Sequence, residues 1–187
     1  MQITHDRSYI SQTEREFISR GYGNMQQAVS EYRDYLDMCA KLGYDMSNSF
    51  VLYPRDLREA HDKAARRVKA KADAQMRRDF KTAMEAVTGR LDYEADGMRM
   101  LLPATPEEIV AEGQALHHCV GSYVDRVARK ECVILFLRQC EDISKPFYTV
   151  EVRGKKVAQV RGTGNCDPTP EVETFMDRWE RQVLRAA

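Results

Sequence analysis

The densest run of reactive side chains in this 187-residue chain is Leu116-His117-His118-Cys119-Val120-Gly121-Ser122-Tyr123. Two imidazoles and a thiol occupy consecutive positions where one helix is expected to end and another to begin. A helix N-terminus favours a thiolate, which gives Cys119 the setting of a nucleophile and His117 or His118 that of its base. The competing reading is a structural cysteine beside a capping histidine. No metal site is expected, because the string lacks the separated ligand pairs of zinc motifs and the next cysteine, Cys132, falls in an apolar strand.

A second group of polar residues interrupts two strand-like segments. Glu151 lies between Val150 and Val152, Gln159 between Ala158 and Val160, and Arg161 ends the second segment. Their faces depend on the connecting loop. A two-residue loop at Gly154-Lys155 pairs Glu151 with Ala158 and turns Gln159 to the opposite face. A three-residue loop sets Glu151 against Gln159 and Arg161 beside Thr149, which assembles a polar cluster. Asn165, flanked by Gly162, Gly164 and Cys166, is either a turn residue or a further ligand-facing amide. The candidate set is therefore catalytic His117, His118, Cys119 and Glu151, with Tyr123, Gln159, Arg161 and Asn165 holding a substrate or ligand.

The elements that must position these groups are legible from pattern. Leu91 to Ala95, then Asp96-Gly97, then Met98 to Leu102 is a β-hairpin signature, because Asp-Gly supplies the positive φ angles of a two-residue turn. Thr105-Pro106-Glu107-Glu108 opens a helix with an N-cap, a proline at N1 and an acid at N3. Gly121 interrupts before a second short helix over 122–130. Cys132 to Leu137 is continuously apolar and belongs at the centre of a sheet. Strands over 146–153 and 156–161 follow, and Thr169-Pro170 opens a last helix buried through Val172, Phe175, Met176 and Trp179.

The N-terminal half reads as helical. Asn24 is placed to cap a helix from Met25 to about Leu42, with Ala28, Val29, Tyr32, Tyr35, Leu36, Cys39 and Leu42 on one stripe and Gly43 at its C-terminal end. Pro54 suits the first turn of a long amphipathic helix ending near Gly89. The outer face of that helix carries Arg66, Arg67, Lys69, Lys71, Arg77, Arg78 and Lys81, a candidate phosphate-contacting set. Interleaved Asp62, Asp73, Asp79 and Glu85 favour an ordinary solvated face instead. His61-Asp62 reads as a surface pair. The expected fold class is α+β, with helices followed by a mostly antiparallel sheet, divided into a helical region over 1–90 and an α+β module over 91–187.

Composition limits the function classes. Lys and Arg number 29 and so do Asp and Glu, which excludes a uniformly basic nucleic-acid binder. The zero is a sum, however: residues 55–90 carry 11 basic and 6 acidic side chains, a net of +5, whereas residues 1–54 have a net of −2. No segment approaches the ~20 consecutive apolar residues that cross a bilayer, so no membrane partner is expected. The first residues lack the pattern of a signal peptide, and five cysteines without a CxxC pair fit reduced thiols in a cytoplasmic protein. No cofactor is implied.

Together the strings resemble the PcfJ-like family, whose members are encoded on conjugative plasmids, integrative elements and phages. The resemblance is carried by Tyr53-Pro54-Arg55-Asp56-Leu57 with His61-Asp62, by Leu116 to Tyr123, and by Phe147-Tyr148-Thr149-Val150-Glu151-Val152. It continues through Gln159-Val160-Arg161-Gly162, Asn165 and Trp179, and spans about residues 35–182. It implies a mobile-element context, a shared fold and a short form of a family with longer members, and it supplies no mechanism.

Three functions follow as expectations. The first is an accessory protein of a mobile element that binds nucleic acid, or a host or element protein, through the basic helix. The second is a transferase or hydrolase built on the His-His-Cys string and the Glu-Gln-Arg-Asn group. The third is a counter-defence protein that inhibits a host nuclease or sequesters a small signalling ligand in the same pocket.

Overall fold

The computed structural model describes residues 8, 9 and 25–185. The chain divides into two compact units, Met1–Asp73 and Ala74–Ala187. Its elements are α1 (Met25–Leu42), α2 (Ser49–Leu52), α3 (Leu57–Glu85), β1 (Tyr93–Ala95), β2 (Met98–Leu101), α4 (Pro106–Leu116) and α5 (Val124–Ala128). They continue with β3 (Val133–Gln139), β4 (Tyr148–Arg153), β5 (Lys156–Arg161) and α6 (Pro170–Trp179). This is an α+β fold with one antiparallel sheet ordered β1-β2-β3-β4-β5.

In the first unit, Ala28, Tyr32, Tyr35 and Cys39 of α1 form a buried cluster with Leu57 and Ala64 of α3. The hydroxyls of Tyr32 and Tyr35 donate to the carbonyls of Leu52 and Val51 at 2.9 and 2.8 Å, satisfying carbonyls that the four-residue α2 leaves open. Gly43, at φ 76°, closes α1 as expected: its amide donates to Ala40 O and the Tyr44 amide to Cys39 O, the paired bonds of a Schellman end. The expected Asn24 cap lies outside the described residues.

One short helix, α2, is added to the sequence reading, and both ends of α3 differ from it. The short α2 is nucleated by Asn48, whose side chain accepts the Phe50 amide. Helix α3 starts after Pro54 rather than on it, because Asp56 Oδ1 accepts the Glu59 amide at 3.0 Å and so caps the helix. It ends at Glu85, before Gly89, where the Thr88 hydroxyl donates to Met84 O at 2.9 Å and competes with the backbone ladder.

In the second unit the sheet is buried on both faces. Met98, Met100, Leu135, Leu137, Tyr148, Val150 and Val152 project to one side and pack with Val172, Phe175, Met176 and Trp179. The Trp179 indole N–H donates to Leu91 O at 3.0 Å, so this large side chain is buried without an orphaned donor. On the opposite face Ile134 and Phe136 pack with Ile109, Val120, Val127 and the C-terminal part of α3 through Phe80, Ala83 and Met84. The expected hairpin is present, with Asp96 and Gly97 at φ 52° and 74° and Ala95 opposite Met98. β3 is the central strand, as its apolar run required.

Candidate functional site

Two segments from different parts of the sequence meet on the Ile134/Phe136 face of the sheet. The first is the turn after α4. Thr105 Oγ1 accepts the Glu108 amide and Glu108 Oε2 accepts the Ala104 amide at 2.7 Å, which fixes the start of α4. At its other end His117 takes a left-handed conformation, φ 54° and ψ 47°, and redirects the chain into a 3-10 turn over Cys119–Tyr123 that runs into α5. The expected single helix over 122–130 is thus divided into this turn and the five-residue α5.

Gly113 makes the reversal possible. A Cβ at that position would lie 2.9 Å from Gly121 N and 3.0 Å from His118 O. Helix α4 and the 3-10 turn therefore approach backbone to backbone, which only glycine permits.

The second segment is the β4–β5 hairpin. The loop is the two-residue Gly154-Lys155, with Arg153 opposite Lys156 and Val152 opposite Val157. Beyond that pair the register shifts: Glu151 faces Gln159, Val150 faces Val160 and Thr149 faces Arg161, leaving Ala158 as the extra residue of a β-bulge. The short loop and the assembled polar face therefore coexist, an outcome outside the two registers that loop length alone allows.

His118, Cys119, Val120, Tyr123, Ile134, Thr149, Glu151, Gln159, Arg161 and Asn165 line one cleft. Two hydrogen-bonded groups organise it. Glu151 is 1% exposed and accepts from Arg126 at 3.1 Å, Arg153 Nε at 2.7 Å and Gln159 Nε2 at 2.7 Å. The Gln159 amide nitrogen also lies 3.5 Å from the Tyr123 hydroxyl, and the Arg126 guanidinium stacks 4.5 Å above the Tyr123 ring. With the amide nitrogen committed to a carboxylate, the carbonyl of Gln159 is left as an acceptor.

The second group begins at the buried pair of Arg138 and Glu112. Its two hydrogen bonds, 2.8 and 2.5 Å, form a bidentate clamp. The Thr149 hydroxyl donates to Glu112 Oε1 at 3.4 Å, and Thr149 Oγ1 is also 3.2 Å from His118 Nε2. Thr149 thus bridges the buried carboxylate of Glu112 to the imidazole of His118. The ring is held against Thr149 through Nε2.

The remaining expected site residues divide clearly. His117 is exposed and shapes the turn without lining the cleft. Cys119 is exposed and lines it, whereas Cys132 is buried and burial pushes its thiol up. Asn165 sits in a 3-10 turn over Thr163–Asn165 at φ 63°, and Arg161 pairs with Asp167. The seven candidate cations of α3 are all exposed but spread around the helix. Arg67 contacts the Tyr44 hydroxyl, Lys71 donates to Lys41 O, Arg77 pairs with Glu107, Arg78 donates to Gln75 and Lys81 is 3.8 Å from Glu85. Glu112, Arg126 and Arg138 were not singled out from the sequence. Their signal was present in part, since Arg138 alternates with Ile134 and Phe136 on the covered face of β3.

No group of acidic, histidine or cysteine side chains suited to a metal occurs among the described residues. No described helix is long and apolar enough to cross a membrane.

No solved structure matches the chain. An uncharacterized protein of Listeria innocua serovar 6a is 28% identical over 156 residues, covering 82% of this chain and 34% of the relative, so the chain spans about a third of that protein's length. The family model for PcfJ-like proteins matches residues 31–176, across α1, the sheet and both cleft-forming segments. The chain belongs to the PcfJ-like protein family.

Proposed function

We propose that the protein is a transferase or hydrolase acting on a small polar molecule, with His118 as general base. The observation that carries this reading is the oriented imidazole at the end of the Arg138–Glu112–Thr149 chain, in the same cleft as the fixed amide of Gln159. A base must share a substrate with its orienting groups, and these side chains line one opening. Glu151 acts through Gln159, which would accept a substrate N–H or O–H. Cys119 offers a thiol on the cleft wall as nucleophile. The setting we infer for this activity is the cytoplasm of a cell carrying a mobile element, supported by the resemblance to the PcfJ-like family.

Incubation of the purified chain with a bacterial metabolite extract, followed by mass spectrometry, tests the proposal. At least one metabolite should be consumed by the parent protein and spared by His118→Asn. An extract unchanged by the parent, or depleted equally by both proteins, overturns the enzymatic reading. A molecule retained without turnover would instead favour ligand sequestration.

A second reading is supported by the exposure of the seven candidate cations on α3, Arg66 to Lys81: binding of nucleic acid, or of an acidic host or element protein. Among the described residues Arg66 and Lys69 make no ion pair, so their charge is available. A low-salt shift assay that is unchanged on neutralising Arg66, Arg67, Arg77 and Arg78 would remove the nucleic-acid version.

A further inference from the structure

Arg161 is the only lysine or arginine lining the cleft among the described residues. Its countercharge differs in kind from that of the buried cluster beside it. Glu151 is 1% exposed and committed to Arg126, Arg153 and Gln159, so its carboxylate cannot leave without breaking three hydrogen bonds. Arg161 Nη1 instead contacts the carboxylate of Asp167, whose side chain is 85% exposed. That carboxylate is tethered only six residues away, in the loop after the Thr163–Asn165 turn. The loop is fixed through its backbone: the Gly162 amide donates to Cys166 O at 3.0 Å, and the Tyr148 hydroxyl donates to Asp167 O at 3.4 Å. The side chain of Asp167 can therefore rotate into water without moving the loop.

A guanidinium has five N–H donors in a planar fork, and a single carboxylate oxygen engages only part of it. The Asn165 side chain lines the cleft beside Arg161 as an uncharged amide. We propose that the cleft takes a small oxyanion, a carboxylate or a phosphate, whose charged group replaces Asp167 on Arg161. This rests on reading the cleft as a ligand site, and it names the chemical class that the site selects. Asp167 is an internal competitor that keeps Arg161 extended and paired until the ligand arrives. An exposed ion pair is weak, so the exchange reduces ligand affinity by roughly fivefold or less.

The test is a titration of the full 15N-labelled chain with sodium phosphate and, separately, sodium acetate at constant ionic strength. The Arg161 Nε–H and Asn165 side-chain amide signals report binding. Saturable shifts are expected with at least one anion, tightening roughly fivefold in Asp167→Asn and disappearing in Arg161→Gln. The preferred anion then identifies phosphate or carboxylate as the ligand group. Binding unchanged in Asp167→Asn, no saturation with either anion in that variant, or tightening that persists in the double variant overturns the proposal. Retained binding without any metabolite turnover would sink the enzymatic reading alone.

Discussion

The Gln159 amide nitrogen lies 2.7 Å from Glu151 Oε2, directly across the β4–β5 pair, and the carboxylate it meets is 1% exposed. That bond joins stability to recognition. Glu151 offsets its burial only because Arg126, Arg153 and Gln159 all donate to it, and Gln159 has a fixed orientation only because Glu151 is there. Removing the carboxylate in Glu151→Ala leaves the Arg153 guanidinium and the Gln159 amide without this acceptor, and leaves Arg126 with Glu131 at 3.8 Å. Arg153 is half-exposed and re-solvates easily, which lowers the cost below that of a fully buried pair. A loss of about 2–4 kcal/mol in urea unfolding is expected. A variant within 0.5 kcal/mol (roughly the scatter of neutral surface changes) would mean that the cluster contributes little.

The β-bulge at Ala158 gives a second, geometric expectation. Val152 faces Val157 and Glu151 faces Gln159, so Ala158 is the residue without an opposite. Its deletion makes Gln159 follow Val157 directly, and strand alternation then keeps Val157 on the Trp179 side and Gln159 on the cleft side. Cross-strand nuclear Overhauser effects between β4 and β5 should therefore retain the Glu151–Gln159 pairing. Insertion of a second residue after Ala158 should abolish it. Pairing of Glu151 with Val160 in the deletion variant would contradict this account.

The same bulge marks where the sequence stops being readable. The Asp96-Gly97 hairpin, the Thr105 cap and the central β3 all follow from local chemistry, because turn angles, capping oxygens and continuous apolar runs act within a few residues. Lys156 to Arg161 gives no local sign of an inserted residue, and the bulge is imposed by pairing with β4 rather than by β5 itself. Glu112 and Arg138 lie 26 residues apart and are buried together only once α4 covers the sheet. Each alone reads as a surface charge. His118 and Glu151 were visible as chemistry, while the partners that orient them are products of tertiary contact.

Gly113 allows a sharper test of how His118 is positioned. A methyl group there would meet Gly121 N and His118 O at distances that backbone atoms do not tolerate. Gly113→Ala should therefore lose about 1–3 kcal/mol and shift the His118 and Cys119 amide resonances. Gly121→Ala meets Val110 Cα at 3.4 Å, an ordinary contact, and should cost less. Equal costs for the two variants would show that the approach of α4 to the turn is not the limiting feature.

His117 is expected to matter through its backbone. At φ 54° its Cβ is in the left-handed region that L-residues occupy at a cost of about 1–2 kcal/mol, and its side chain lies outside the cleft. His117→Gly should be neutral or stabilising by up to about 1 kcal/mol, once the greater unfolded-state freedom of glycine is counted against the relieved strain. Metabolite turnover should be unchanged. Turnover lost in a fully folded His117→Gly protein would restore His117 to the catalytic set.

The pairing of Arg77 with Glu107 sets an acid-side dependence in the second unit. Arg77 Nη2 is 2.5 Å from Glu107 Oε1, and this hydrogen bond, followed by the backbone amide of Glu107 itself, holds the carboxyl below its ordinary range. A depressed carboxyl contributes stability that is present above the unfolded-state value and is lost as the pH falls through the folded-state value. The contribution should therefore be intact at neutral pH and decline below the usual glutamate range, about pH 4.3. Both side chains are exposed, so the observable is the titration itself. In Arg77→Gln the Glu107 side-chain carbon resonance should titrate closer to an ordinary glutamate, raising the midpoint of its pH curve. An unchanged midpoint would mean that the N-terminal amides of α4, rather than Arg77, hold the carboxylate.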